Sequence, residues 1–410
     1  MGRYIVMDIV FYGNSLNYDQ GSGNYQELKK ITKWDGKQYT LVSRYALRYS
    51  LLETGRKMGL WDVADGSKLY ESEGGGEQKV IQPAPEILLS GEILKYPEFD
   101  LFGYLITQPR GINQPQNFRT APVKISHAVS LTPFSYDALF NANVGLANRR
   151  MKVTGKLEPN PFTAEEHETF YQYTVVVDVN NIGNLEVYVN EGENIQLGDG
   201  RKLKIKEIKS ENDSNGDEEK VKIEFGDEND PIVQFEDEKI KLKGEISPIN
   251  NKLKVIKYSL KEKENEDPVK KRVETLIKTI LNLKRSIKGR DENLSPKLMV
   301  VGIYKDTPYK AFKDKIILVD EYVSEEYDEI EEDEKDGKKI YRVRHRITKS
   351  RKPVFEIEDE NLSDSRPLNE KEVLDLIDEL FNAKPEENVE KVEIFHDSSV
   401  TVKLPKHKDE

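Results

Sequence analysis

The side chains that could do chemistry in this chain are few and scattered. Five histidines, His127, His167, His345, His396 and His407, stand apart, and none pairs with another at a metal-ligand spacing. Cysteine is absent, so there is no disulfide framework and no thiolate metal site. No nucleophile elbow, Walker loop or zincin helix occurs. Gly21-Ser22-Gly23 is too short for a phosphate loop, and Gly74-Gly75-Gly76 lacks the Lys and Ser/Thr of a Walker loop. Asp19 and Asp35 sit in a Gly-rich stretch where a metal-dependent nuclease can keep an acid. Solvated turn residues are the plainer reading of both. No catalytic residue, metal or cofactor is expected.

What remains is a binding constellation. Lys29, Lys30, Lys33 and Lys37 precede a helix start at Ser43, Arg44 and Arg48. Ser43 fits the N-cap position, and Arg44 and Arg48 are four apart, on one helical face. A helix N-terminus favours phosphate, and arginine adds charge-assisted hydrogen bonds. Tyr25, Trp34, Tyr39 and Tyr45 interleave with these cations. Single-stranded nucleic acid needs both, charge for its backbone and flat faces for its bases.

The overall charge runs the other way, at −12 over 410 residues. Its distribution resolves the conflict. Residues 191–410 hold 44 basic and 54 acidic side chains, against 19 and 21 in residues 1–190. Within the first half the stretch 24–57 holds 8 basic and 3 acidic residues, and 110–136 and 141–156 hold basic residues only. In the second half 269–315 holds 13 basic and 5 acidic. Folding that gathers these four stretches makes one basic groove; the alternative is ordinary solvated surface. No apolar run is long enough for a bilayer, and the N-terminal residues lack the pattern of a signal peptide or a myristoylation motif. A cytoplasmic chain is the simplest expectation.

The elements that must position these residues follow from periodicity. Residues 4–11 alternate Ile5, Met7, Ile9 and Phe11 on one face of a strand. A long polar loop covers 13–36, and a helix covers 43–53. An irregular or small helical insertion follows from 56 to 91. Strands are expected at 99–107, with Gly103 marking a close backbone approach, at 123–131 and at 170–179. Residues 195–263 give short charged strands that bury little apolar surface. An amphipathic helix covers 268–288, with Val273, Leu276, Ile277, Ile280 and Leu283 along one side. Strands at 298–304 and 316–319 precede an acidic, mobile stretch at 324–339. A β segment at 340–347, a helix at 369–381 and a strand at 392–395 close the chain. Helices among antiparallel-type strands make this an α+β protein, with a ferredoxin-like or RRM-like core carrying long insertions.

Four runs carry a resemblance: SLNYDQGSGNYQELKKIT at 15–32, DGKQYTLVSRYALRYSLLETG at 35–55, DLFGYLIT at 100–107 and RTAPVKISHAVSLTPF at 119–134. In order and spacing they resemble the DevR type of the Cas-seven superfamily, the backbone subunits of type I CRISPR Cascade, mostly of subtype I-B. The run FYQYTVVVDVNNIG at 170–183 and the unit 268–319 look like the family's closing elements. The resemblance covers 2–183 and 269–320.

The resemblance implies a right-hand-shaped molecule. Residues 1–189 would form the first part of a modified RRM palm, with inserted fingers at 57–92 and a thumb hairpin at 134–167. Residues 190–267 are a charged β insertion, 268–320 complete the palm, and 321–410 form an acidic linker and extension. It further implies contacts to guide RNA along the matched segments, at Asn14, Asn17, Lys29, Lys30, Lys37, Ser43, Arg44, Arg48, Arg119, Lys124, Ser126 and His127. Arg149 and Arg150 would join them near the thumb tip, with Lys152 and Lys156. Within a strand, His127 also reads as a structural histidine. Phe140, Leu146 and Met151 would wedge between bases, unless these apolar residues are core. The implied partners are a guide crRNA, the target DNA strand through that guide, further copies head to tail, and other Cascade subunits. Two other readings stay open: a nuclease of the superfamily using Asp19 or Asp35, and a free-standing RRM-like RNA-binding protein. DLFGYLIT lacks the leading basic-Gly pair of an RNP motif, which counts against the last.

Overall fold

The computed structural model describes residues 2–73, 79–106, 118–192, 194–196, 202–212, 219–225, 241–248, 253–261, 266–320, 324–335, 338–350, 352–359, 362 and 366–405. The glycine run at 74–76, Arg110 and His407 lie outside them.

The alternating N-terminal segment forms strand β1 (Arg3–Asn14), buried on both faces from Ile5 to Phe11. Eight further elements frame it in chain order: α1 (Arg44–Lys57), β2 (Ala128–Ser130), α2 (Val144–Thr154), β3 (Glu168–Asp178), α3 (Pro268–Leu281), β4 (Leu298–Lys305), α4 (Glu370–Asn382) and β5 (Val389–His396). The spatial order is β5-β4-β1-β3-β2, every neighbouring pair antiparallel. Ile9 sits between Tyr173 and Met299 in this register. Strands Gln38–Val42 and Lys30–Thr32 extend the sheet beyond β2.

The odd positions of β1, Ile5, Met7, Ile9 and Phe11, pack under α1, α3 and α4. Leu47 and Leu51, Val273 to Ile280, and Val373 to Leu380 supply the helical side of that core. The opposite face is also covered. Val10, Phe170, Leu298 and Val300 meet Phe312, Ile316, Phe355 and Ile357 from the segment after β4. Burial of apolar area on both faces fixes this sheet at the centre of the molecule.

Local chemistry sets the helix ends. Ser43 accepts the Ala46 N–H and starts α1. Asp267 accepts from Val269 and Lys270 and precedes Pro268 at the first turn of α3. Asn369 and Glu372 form a reciprocal capping box for α4.

Several expectations are corrected. The helix expected at 268–288 stops at Leu281. Lys288 and Gly289, both at positive φ (47° and 78°), turn a hairpin of Lys284–Ile287 against Arg290–Asn293. The strand expected at 99–107 is a helical turn (Pro97–Asp100) followed by a two-residue strand (Tyr104–Leu105). The close approach expected at Gly103 is present: its φ is +70°, and a Cβ there would lie 2.9 Å from the Ala121 nitrogen. The strand at 123–131 is split into Val123–Ile125 and Ala128–Ser130, because Ser126 Oγ accepts the Thr174 N–H and bulges the chain. Within the acidic stretch at 324–339, Ser324–Lys335 forms a strand paired with Lys338–Ser350. Their register places Glu325 opposite Lys349 and Glu331 opposite Arg342 along the backbone.

The stretch 190–267 buries more than its charge implies. Leu253–Lys261 pairs with Asn184–Asn190, and Ile256 and Tyr258 enter a second core. That core also holds Ile87, Leu88, Leu89, Ile93 and Phe99, so the segments before and after β3 share it.

Candidate nucleic-acid interface

The site is built where the 15–42 loop, the N-terminus of α1 and the base of the α2 hairpin meet. The loop is a folded unit. Asn17 Oδ1 accepts the Ser43 N–H at 2.9 Å, and Lys29 is bonded through its backbone to Asn17 and Leu41. Asn14 Oδ1 lies 2.6 Å from Ser15 Oγ. Ser15 sits at φ +51° and is buried, its hydroxyl donating to Glu166 while accepting the His167 N–H.

At the α1 start, His127 Nδ1 accepts the Arg44 N–H at 3.0 Å. The backbone N–H groups of Ser43, Arg44 and Ala46 thus all have acceptors, from Asn17, His127 and Ser43. Arg44 itself is exposed, lies over the Tyr45 ring and donates to its hydroxyl, which lowers the Tyr45 phenol from its ordinary value. Arg48, one turn on, has a different fate. Its guanidinium donates to the Glu98 and Phe102 carbonyls and lies over the Phe102 ring, and burial lowers its pKa.

The lysines divide in the same way. Lys30 bonds to Glu165, both partners largely buried, with its ammonium 4.6 Å from the Phe134 ring centroid. Lys29 pairs with Asp19 at the surface, and this bond holds the Asp19 carboxyl below its ordinary value. Asp35 is also lowered, by the Lys37 N–H and the Tyr39 hydroxyl. Both candidate nuclease acids are therefore engaged within their own hairpins. Among the described residues no three His, Asp or Glu side chains gather as a metal ion would require. Lys37 and Lys124 are exposed, and Ser126 is spent on the Thr174 N–H. Arg119 lies away from the loop, in a buried ion cluster: with Arg272 it binds Asp100, 2.8 and 3.0 Å away.

The segment 134–167 is a hairpin of Ala138–Asn141 and Phe162–Glu165 with α2 at its end. Its second strand pairs in parallel with Tyr25–Gln26, which joins it to the 15–42 loop. Asn143 caps α2, and Gly155 closes it in the left-handed conformation. Ala147 is the one residue of α2 that is buried. Phe140 is 72 %, Leu146 55 % and Met151 40 % exposed, so these residues are not core. Arg149, Arg150, Lys152 and Lys156 share the helix and its end, exposed and with no carboxylate bound to them among the described residues.

The hairpin 284–293 brings cations that no motif announces. Arg285 donates to the Leu16 and Ala46 carbonyls and to Ser50 Oγ. Lys288 sits over the Tyr18 ring, and Arg290 bonds to the Asn14 and Ser15 carbonyls. The charge run at 269–315 was the one sequence signal for them. No helix among the described residues is long and apolar enough to cross a membrane.

The sequence model of the family described as CRISPR-associated negative auto-regulator DevR/Csa2 matches residues 5–327. A protein of Myxococcus xanthus (strain DK1622), "CRISPR-associated protein Cas7/Cst2/DevR", is 31 % identical over 166 residues, 38 % of this chain and 50 % of that protein. The chain thus spans about half the length of that relative. Among solved structures, a chain of "CRISPR RNA-guided surveillance complex, pre-nicking" aligns with TM-score 0.36 and 10 % identity, over 75 % of this chain and 80 % of that one. A chain of "CRISPR RNA-guided surveillance complex" aligns with TM-score 0.35 and 11 % identity, over 75 % and 72 %. The match over residues 5–327 takes in the loop, α1, the α2 hairpin and β1 to β4, and by it the chain belongs to the DevR/Csa2 family of CRISPR-associated proteins.

Proposed function

We propose that this chain binds a CRISPR guide RNA as a repeating, non-catalytic backbone subunit of a type I Cascade complex in the cytoplasm. In this reading the β1–β4 unit with α1 and α3 is the RRM-like palm, 57–92 the fingers and 134–167 the thumb. Copies stack head to tail along the guide, target DNA pairs with the guide rather than with the protein, and other Cascade subunits complete the particle.

The observation that carries the reading is α2. It buries Ala147 alone, yet presents Arg149, Arg150 and Lys152 beside Leu146 and Met151. An exposed surface that joins uncompensated cations to apolar side chains fits a polyanion with flat, stackable bases. Two further observations favour it over the alternatives. Phe312, Phe355 and Ile357 cover the sheet face that a free-standing RRM uses for RNA. Asp19 and Asp35 are held by Lys29 and by Tyr39, and among the described residues neither belongs to a cluster of three metal-ligating side chains.

The test is retention of RNA. Full-length protein purified at moderate salt is expected to carry RNA, and the nucleic-acid-free protein to bind labelled single-stranded RNA with strong salt dependence. Replacing Arg149, Arg150, Lys152 and Lys156 together by Ala should flatten the salt slope by about 0.7 log units per log salt for each lost phosphate contact. Absence of salt-dependent binding by the folded parent protein overturns the reading.

A further inference from the structure

Trp34 is 98 % exposed, the most exposed large apolar side chain among the described residues. It stands at the tip of the hairpin between Lys30–Thr32 and Gln38–Val42, and the turn beneath it is fixed several times over. Lys33 N–H donates to the Lys37 carbonyl at 3.1 Å, and Gly36 N–H to the Lys33 carbonyl at 3.0 Å. Asp35 accepts from both the Lys37 N–H and the Tyr39 hydroxyl. Gly36 sits at φ +74°, where a side chain would be strained. Lys33 folds inward, its ammonium 3.8 Å from the Tyr39 ring centroid. A turn this firmly built fixes the backbone from which the indole projects into water.

The surroundings specify what it meets. The one carboxylate in the turn, Asp35, is turned to the Lys37 N–H and the Tyr39 hydroxyl, and is outnumbered by Lys33 and the exposed Lys37 of the same turn. The same hairpin runs into Ser43 and Arg44 at the start of α1, and Gln38 accepts the Phe134 N–H at the first residue of the thumb. From Gln38 to Ser43 is five residues, about 17 Å of strand. The indole therefore lies within a few nucleotides' reach of both parts of the proposed groove, in a locally cationic setting. A base face satisfies a flat aromatic ring beside a lysine, with no sequence requirement.

We infer that Trp34 is a stacking platform for a nucleobase of single-stranded nucleic acid, a contact separate from the phosphate contacts at Arg44 and on α2. The inference rests on the guide-RNA reading above, and its failure can be told from the failure of that reading.

The chain has two tryptophans, and the other, Trp61, is buried with its indole N–H on Thr275 Oγ1. Indole emission quenched by external acrylamide therefore reports Trp34. Uridine-only single-stranded RNA is titrated into the nucleic-acid-free full chain, with Trp emission and the anisotropy of a labelled RNA followed in parallel. The expected result is quenched emission that saturates with the anisotropy, together with protection from acrylamide. Trp34→Phe should keep affinity within about threefold, while Trp34→Leu should lose about tenfold, as for one base stacked on an aromatic ring. Neither change should alter the salt slope, because stacking releases no counterions. Binding by anisotropy with unchanged Trp emission overturns the inference and leaves the guide-RNA reading intact; absence of binding overturns both. A blue shift that grows with protein concentration without RNA assigns Trp34 to a contact between copies and also overturns it. Equal affinity of Trp34→Leu and the parent, in variants of unchanged melting temperature, does the same.

Discussion

The hydroxyl of Tyr258 donates to the backbone carbonyl of Leu89 at 2.5 Å, joining residues 169 apart in the sequence. Beneath the same ring lies Gly91, at φ +76°, where a Cβ would stand 2.6 Å from the Tyr258 ring. The ring and the bare backbone are fitted to each other. Tyr258→Phe should therefore destabilise by about 1–3 kcal/mol, the cost of a buried carbonyl left without its donor. Gly91→Ala should be worse, since strain and overlap add. Removal of 190–267 should expose Ile87, Leu88 and Phe99 and yield aggregated protein. Chemical denaturation of the point variants and size measurement of the deletion check these outcomes; a soluble, monodisperse deletion would contradict them.

Arg44 and Arg48 are one turn apart on α1, yet their substitutions should separate cleanly. Arg48 is committed to the Glu98 and Phe102 carbonyls, so Arg48→Ala should lower stability by about 1 kcal/mol through two part-buried acceptors that lose their donor. Arg44 stacks on Tyr45 at the surface, so Arg44→Ala should leave stability within about 0.5 kcal/mol. In RNA binding the order inverts. Arg44→Ala should flatten the salt slope by about 0.7 log units per log salt, and Arg48→Ala should not change it. Paired melting curves and salt titrations read both effects.

This division between the two arginines marks how far the sequence is legible. Ser43 as N-cap, the alternation in β1 and the apolar stripe of α3 are local signals, written within a few residues, and all three are present in the fold. The side chains that face the site depend on partners far along the chain. Lys30 is consumed by Glu165, 135 residues away, and Arg119 by Asp100 together with Arg272 from α3. A run of lysines and arginines carries no record of which carboxylate or carbonyl will meet each one. Tyr258 and Ile256 were hidden differently. They alternate with Lys257 and Ser259 in a strand that also carries Lys254 and Lys261, so it reads as charged although Ile256 and Tyr258 are core.

His167 ends the 134–167 hairpin segment, its Nδ1 2.7 Å from Thr40 Oγ1 and its ring edge-on to Phe134. Burial holds its imidazole below the ordinary value. The unfolded chain therefore takes up a proton more readily than the folded one, and stability present above the unfolded value is lost as pH falls below about 6.5. The parent protein should lose more melting temperature between about pH 7 and pH 5.5 than His167→Gln, which cannot titrate there. Parallel pH profiles of the two proteins would contradict this.

The last prediction concerns the apolar residues of α2. Leu146 and Met151 are 55 % and 40 % exposed, on a helix whose one buried residue is Ala147. Replacing both by Asp removes little packing and costs mainly helix propensity, about 0.5 kcal/mol per site. For a chain of this size the melting temperature should fall by less than about 4 °C. If α2 is the element that inserts between bases, the same two charges place carboxylates against stacked bases and phosphates, where like charge and desolvation both oppose them. Leu146→Asp with Met151→Asp should therefore reduce the number of protein copies carried by a guide-length RNA far more than it reduces stability. Guides that differ only in spacer sequence should bind the parent protein with a spread below about tenfold, because contacts to phosphates and base faces carry no sequence information. Mass measurement of the RNA-bound particle, beside a melting curve of the same variant, separates the outcomes. A variant that melts early and assembles poorly would make these residues structural; one that melts normally and assembles fully would remove α2 from the RNA interface.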